Sequence, residues 1–275
     1  MRTIKILYLL VFVSLMAACS HIDEADRLIY VAPDQTDECP PNSALRNVLL
    51  EDFTGQLCVN CPRGTKVIEQ LQEAYADRLI AVGIHGGPLG FKGNAAAVGL
   101  ATDLGDTYYD HWQLEYQPVG LIDRHGAVNY TDWITAVREE LAKPSKIKMQ
   151  AEATVNSAAV SVSIKAECLD GTYNGMLQVW LLEDGITATQ KRHDPIDDDN
   201  TTITDKNYVH NHVLRTSVNG TWGEALSVTV DEPAIRTYQL PLDAAWVNTN
   251  LSIVAFVYND NGVEQAIKTT ITVKE

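Results

Sequence analysis

The sequence predicts an α/β unit followed by an all-β sandwich. Three observations predict it. An apolar run, Val48 to Phe53, leads into a Cys-x-x-Cys pair and then an amphipathic helix. A second buried run, Leu79 to His85, follows at the distance of a right-handed strand–helix–strand crossover. From Ile147 onward, alternating apolar and polar residues replace the helical period.

The chain has 275 residues, 45% of them apolar, enough for a sizeable core. Its formal net charge of -15 lacks the basic footprint that nucleic acid requires. Arg2 and Lys5 precede the apolar run Ile6 to Met16 and the small pair Ala17-Ala18. Residues 1–18 therefore read as a secretory signal, too short to span a bilayer. Losing Arg2 and Lys5 takes the charge from -15 to -17. "LMAAC" resembles the bacterial lipobox, whose cysteine is acylated and becomes the mature N-terminus. The resemblance implies a lipid on Cys19 and a membrane anchor through it. With Ser20 next, it implies sorting to the outer membrane, facing the periplasm or, given Asp23 and Glu24, the cell surface. Residues 19–44 are acidic, contain prolines and have no apolar period, so they read as a tether.

Residues 45–143 hold the α/β unit. After the strand at 48–53 comes "TGQLCVNCPRG". Pro62 suits a first helical turn, and Val67, Ile68, Leu71 and Tyr75 share one helical face. A parallel pairing of the two strands brings Cys58 and His85 to the same sheet edge. Residues 94–115 have helical composition, interrupted by Gly99 and Gly105. Val119 to Ile122 is a short strand, "DRHG" a turn, and Ala127 to Tyr130 its partner. Thr131 or Asp132 caps a last helix with Ile134, Val137 and Leu141 as its apolar stripe.

A Cys-x-x-Cys pair binds metal, staples a loop or carries electrons. Zinc wants four ligands, and the chain has no second such pair. Closing so short a loop stabilises little, which argues against a purely structural bridge. A cysteine at a helix N-terminus meets unpaired N–H groups that favour the thiolate, the nucleophile of disulfide exchange. The expected roles are Cys58, exposed, as attacking thiolate and Cys61, one turn in, as resolving thiol. Asp52, buried behind the pair, takes the proton from Cys61. His85 is a candidate stabiliser of the Cys58 thiolate, although a lone loop histidine is more often simply solvated.

"DFTGQLCVNC" and "QPVGLID" resemble the thioredoxin superfamily over about Asn47 to Lys143. Asp52 and Phe53 stand where that family has a buried acid and an aromatic. Pro118 takes the place of its cis-proline, which presents backbone to a substrate strand. Leu57 replaces the tryptophan that precedes the family's first cysteine, and Val59-Asn60 replaces its Gly-Pro, which leaves the redox direction open. Residues 86 to 115 are an insertion relative to plain thioredoxins.

"KPSK" at 143–146 marks the boundary to residues 147–275. Val160, Val162 and Ile164 alternate with Ser161, Ser163 and Lys165. Strands follow at Leu177 to Leu181, Leu226 to Val230 and Tyr238 to Leu242, with a terminal hairpin around Asn261-Gly262. Roughly seven strands suggest an immunoglobulin-like sandwich, without a Cys–Trp–Cys core. In "NYVHNHVLR", His210 and His212 are expected on one side of a strand, next to the acidic loop 193–200. Two histidines are an incomplete metal shell, so a hydrogen-bonded pair near a domain contact is the plainer reading.

The order of lipoprotein signal, "TGQLCVNCP" and "YVHNHVLR" resembles the twenty-eight-kilodalton outer-membrane protein family of Gram-negative bacteria. That resemblance implies an outer-membrane lipoprotein with either a redox or a surface-receptor role. Cys39 and Cys168 are left over. Outside the cytoplasm leftover thiols often pair, so a Cys39–Cys168 disulfide beside Cys58–Cys61 is the favoured arrangement. Two functions follow. One is a membrane-tethered thiol–disulfide oxidoreductase acting on protein thiols or disulfides, with no cofactor. The other is a module binding an unidentified surface ligand, with the thioredoxin-like half as a non-catalytic scaffold; a buried Cys58 favours it.

Overall fold

The computed structural model describes residues 39–156, 159–196 and 201–273. The signal over 1–18, the Cys19 anchor, most of the tether and residues 197–200 of the acidic loop lie outside the described residues.

The first half contains β1 (Ala44–Leu45), β2 (Val48–Thr54), α1 (Cys61–Tyr75), β3 (Leu79–His85), α2 (Asp103–His111), β4 (Val119–Ile122), β5 (Ala127–Asn129), α3 (Trp133–Leu141) and β6 (Pro144–Ser145). β2 and β3 are parallel, with Val48 opposite Leu79 and Thr54 opposite His85. Both therefore end at the edge where α1 begins. β4 pairs antiparallel with β2, and β5 with β4 across the turn at 123–126.

Strand alternation sends successive side chains of β2 to opposite faces. Val48 and Leu50 pack under α1 and α3 with Val67, Ile68, Leu71, Val137 and Leu141. Leu49 and Phe53 point the other way, to Tyr108 and Tyr109 of α2. Burial on both faces is why the run is continuously apolar. Glu51 and Asp52 follow the same alternation, and both are buried on opposite faces.

The helical composition of 94–115 yields a helix only over Asp103–His111. Residues 86–101 form an irregular loop instead. A Cβ on Gly99 would overlap the backbone of Gly93, so the loop folds tightly on itself. The Thr102 hydroxyl accepts from Gly105 N at 2.9 Å and starts the helix there. Gly105 lies so close to the His85 carbonyl that a Cβ would clash with it. A 3-10 turn, Tyr130–Asp132, precedes α3; Asn129 caps that turn, accepting from Thr131 N at 3.2 Å. Asp132 makes no side-chain cap to α3.

The second half contains β7 (Ile147–Val155), β8 (Ala159–Cys168), β9 (Thr172–Glu183), β10 (Ile186–His193), β11 (Thr202–His210), β12 (Val213–Ser217), β13 (Glu224–Thr229), β14 (Ala234–Pro241), β15 (Leu251–Asn259) and β16 (Gly262–Val273). Val160, Val162, Ile164 and Ala166 of β8 meet Leu177, Val179 and Leu181 of β9 and Ile253, Ala255 and Val257 of β15 in one core. β16 joins the two layers, pairing with β15 up to Thr270 and with β7 from Ile271.

The opposite face of β9 and β15 is buried as well. Trp180, Leu182, Val254 and Phe256 share a core with Leu49, Phe53, Ile80 and Val82. β12 pairs with β9 and, through Val213 and Gly83, with β3. One sheet thus runs from β14 to β5. Residues 45–143 and 147–275 share a sheet and a core across the boundary at "KPSK". Trp180 Nε1 donates to the Tyr108 hydroxyl at 3.1 Å across that junction.

β10 and β11 stand apart, pairing only with each other. This hairpin leaves the sheet at Gly185 (φ 73°) and rejoins it at His212 (φ 57°). Gly185 N donates to Asn211 Oδ1 at 2.9 Å, and His212 N to Asp184 Oδ1 at 2.5 Å. The left-handed backbone at His212 breaks the expected single strand through 207–215. His210 and His212 therefore do not share a strand face. Among the described residues, no helix is long and apolar enough to cross a membrane.

Candidate functional site

Cys58 and Cys61 form a disulfide with a Cα–Cα distance of 5.4 Å. Cys61 is the first residue of α1, with Pro62 next to it. Cys58 sits in the preceding turn, where its N–H donates to Gly55 O at 3.0 Å. The sequence led us to expect an exposed Cys58. It is 1% exposed, and Cys61 2%.

The hairpin of β10 and β11 explains the correction. Gln190 Nε2 donates to Cys58 O at 2.7 Å and to Gly55 O at 3.2 Å. Lys191 N donates to Gln56 O at 2.8 Å. The Gln56 side chain donates to Thr189 O at 2.9 Å and Val98 O at 3.0 Å, and accepts from Leu100 N at 2.8 Å. His193 Nε2 lies 3.0 Å from Asn60 Oδ1. The hairpin from the second half and the loop 86–101 from the first are bolted over the cysteine turn by these bonds. Their donors and acceptors lie far apart in sequence, so no local pattern announces the cover.

Pro118 follows a cis peptide bond from Gln117. It packs on α1 one turn beyond the pair, where a Cβ on Gly64 would lie 3.3 Å from Pro118 Cβ. Gln117 Nε2 donates to Thr54 O at 2.7 Å and Gly86 O at 3.0 Å, and its Oε1 accepts from Leu89 N at 3.1 Å. Three buried glutamines, Gln56, Gln117 and Gln190, thus hold the site together. Sequence reasoning missed all three. Gln56 and Gln117 stand inside the quoted motifs, and that adjacency was the available signal.

Asp52 lies beneath the pair on the α1 face, 3% exposed. Burial pushes its carboxyl pKa up to about 8, so it holds its proton at neutral pH. Its Oδ1 has no hydrogen-bond partner among the described residues. His85 and Thr54 share that face by strand parity, and Asp52 stands opposite Gly83. His85 is buried rather than solvated. Burial and the neighbouring His210 push its pKa down to about 3. Burial takes His210 down to about 4. Both imidazoles are therefore neutral, and their rings pack edge-on with centroids 5.4 Å apart.

The remaining candidates divide. His212 Nδ1 faces Asp184 at 3.3 Å. His210 packs instead on Tyr208 and His85. Among the described residues, no cluster of three or more His, Cys, Asp or Glu is placed to hold a metal ion. Cys39 and Cys168 are both free, which corrects the expected Cys39–Cys168 disulfide. Cys168 is buried at the end of β8, where its thiol donates to Asp170 O at 3.1 Å instead.

A family model described as "Outer membrane protein Omp28" matches residues 105–275, more than half of the chain. The match begins beyond the cysteine pair. Among solved structures, HBP35 of Porphyromonas gingivalis shares the fold at 16% identity and a TM-score of 0.63, over 82% of this chain and 75% of that one. A domain of the outer membrane lipoprotein Omp28 from Porphyromonas gingivalis is 27% identical over 48% of this chain and 92% of its own, with a TM-score of 0.34. No curated protein matches the chain.

Proposed function

The chain belongs to the Omp28 outer membrane protein family, and on that footing we propose that it is an outer-membrane lipoprotein carrying a covered thiol–disulfide centre at Cys58–Cys61. Residues 45–143 are read as a thioredoxin-like unit and residues 147–275 as an immunoglobulin-like sandwich. The observation that carries the redox reading is the disulfide closing onto the first turn of α1, with the protonated Asp52 beneath it.

The partners are protein thiols or disulfides. A partner thiolate attacks Cys58 Sγ, forming a mixed disulfide as the Cys58–Cys61 bond breaks. Cys61 leaves as a thiolate and takes the proton of Asp52. A second partner thiol then attacks the mixed disulfide, so the partner is oxidised by two electrons and the pair is left as a dithiol. In the reverse direction Cys61 resolves the mixed disulfide. Pro118 packs on α1 one turn beyond the pair and offers no N–H. The lipid on Cys19 supplies the anchor, and no cofactor takes part.

A covered disulfide reacts only when its cover lifts. Among the described residues the hairpin's strands pair only with each other, and it leaves the sheet at Gly185 and His212, so lifting it breaks the bonds to the cysteine turn and no strand pairing of the main sheet. Gln190→Ala removes the bonds to Cys58 O and Gly55 O. Losing roughly 1.4 kcal/mol of latch corresponds to about tenfold faster reduction by dithiothreitol. An unchanged rate would show that the hairpin does not gate the pair.

The test of the function is trapping. Cys61→Ser is expected to accumulate mixed disulfides with outer-membrane and periplasmic proteins, and Cys58→Ser to accumulate none. If neither variant changes the thiol state of any partner, the redox reading fails. The burial of Cys58 favours a second reading, in which the disulfide braces a non-catalytic scaffold and the sandwich binds a surface ligand. That reading requires the disulfide to resist dithiothreitol until the chain unfolds.

A further inference from the structure

A cavity of about 140 Å³ opens between α1, β3 and β11. Its floor is Asp52, Cys61, His85 and His210, all at most 5% exposed. Its rim is Glu69, Val209 and Asn211, all exposed. Three floor atoms have no hydrogen-bond partner among the described residues: Asp52 Oδ1, His85 Nδ1 and His210 Nε2. The Gly83 backbone lies beside His85 and the Thr189 backbone beside His210. A neutral imidazole carries one donor and one acceptor nitrogen. Two buried imidazole nitrogens and a carboxyl, unpaired around one polar space, are the setting that holds ordered water.

We infer that this cavity is a hydrated proton port for Asp52, with His85 and His210 as positioning residues that hold its waters in line. The inference rests on the redox reading for its purpose. When Cys61 leaves as a thiolate it takes the proton of Asp52, and a carboxylate is left in a site 3% exposed. Isolated charge there is costly, and until Cys61 returns its proton on reoxidation the carboxylate is neutralised by a proton from solvent. The port links Asp52 to the surface beside Glu69. The second half of the chain supplies one wall, because His210 and Tyr208 both come from β11. The charged and titratable groups around the space are Glu69 on α1, His85 on β3, Tyr208 and His210 on β11, and His212, with Arg215 acting on His85.

Deuterium exchange into the Asp52 carboxyl, followed by its infrared carbonyl band in the resting disulfide form, tests the port without turnover. The band is assigned by its loss in Asp52→Asn. The double variant His85→Phe, His210→Phe keeps aromatic bulk and removes both imidazoles. It is expected to slow exchange about tenfold or more. His210→Phe alone is expected to slow it in part, and His210→Gln, which restores a polar group, to recover it. If the double variant does not fold, the comparison of His210→Phe with His210→Gln decides. Exchange at the wild-type rate in the phenylalanine variants, or equal slowing in His210→Gln, overturns the port. Histidine-dependent exchange in a protein whose Cys61→Ser form traps nothing keeps the port and removes its redox purpose. Trapping with histidine-independent exchange does the reverse.

Discussion

Asp52→Asn is expected to stabilise the protein by up to about 4 kcal/mol at pH 7, at about 1.4 kcal/mol for each unit between 3.8 and neutrality. The folded chain holds the Asp52 proton up to about pH 8, whereas the unfolded chain releases it near 3.8. Below the lower value both states are protonated, and the residue costs nothing. Between the two, the folded state binds more protons, so stability falls as pH rises. His85 and His210 act in the opposite sense. Their folded pKa values, about 3 and about 4, lie below 6.5, so the stability they contribute is full above 6.5 and lost as pH falls toward those values. Burial also pushes Asp123 up to about 7, so the two acids offset the two histidines below 6.5 and stability declines above it. Asparagine removes the Asp52 share of the alkaline decline and uncovers an acid one. Denaturant midpoints of both proteins across that range check it. A variant that is less stable at neutral pH, or declines as steeply as wild type above 6.5, would show that Asp52 is ionised or solvated when folded. The same substitution removes the proton donor for Cys61. More stability with slower reduction is the signature of an acid kept for chemistry rather than for folding.

Glu51→Ala is expected to cost about 3–5 kcal/mol, the reverse sign one residue away. Glu51 and Asp52 are consecutive, so the pleat of β2 turns them to opposite faces. Glu51 meets Arg124, whose Nε and Nη2 reach its carboxylate oxygens at 3.0 Å each. Neither side chain is more than 3% exposed. The guanidinium also lies over Tyr258 at 4.4 Å and Phe256 at 4.7 Å. Alanine leaves that cation buried without its counter-charge. The double variant Glu51→Met, Arg124→Met should recover most of the loss, because no buried charge then remains. Equilibrium unfolding of the two single variants and the double closes the cycle. A loss below about 1 kcal/mol for Glu51→Ala would place the pair in the solvated, surface class.

The contrast between these neighbours shows how far a sequence speaks. "LLEDF" holds two acids in an apolar run, and strand parity alone places them on opposite faces. Which acid has a cation is settled by Arg124, 73 residues away. Pro62 and the apolar face of Val67, Ile68 and Leu71 were enough to start and orient α1. "DRHG" was enough to place the turn between β4 and β5. Residues 94–101 misled, because helical composition does not register a loop packed through Gly99. The Cys39–Cys168 pairing misled because an even number of cysteines says nothing about distance.

By itself the sequence determined the local order: strand, cysteine pair, helix, parallel strand, then alternating strands. That order depends on periodicity and on residues within a turn or two of one another. Tertiary structure alone decided that Cys58 is covered, that His210 rather than His212 packs on His85, and that the two halves share one sheet. Those outcomes rest on contacts such as Gln190 with Cys58, 132 residues apart, and Trp180 with Tyr108. Hydrogen bonds and burial act through space, and their partners leave no period along the chain.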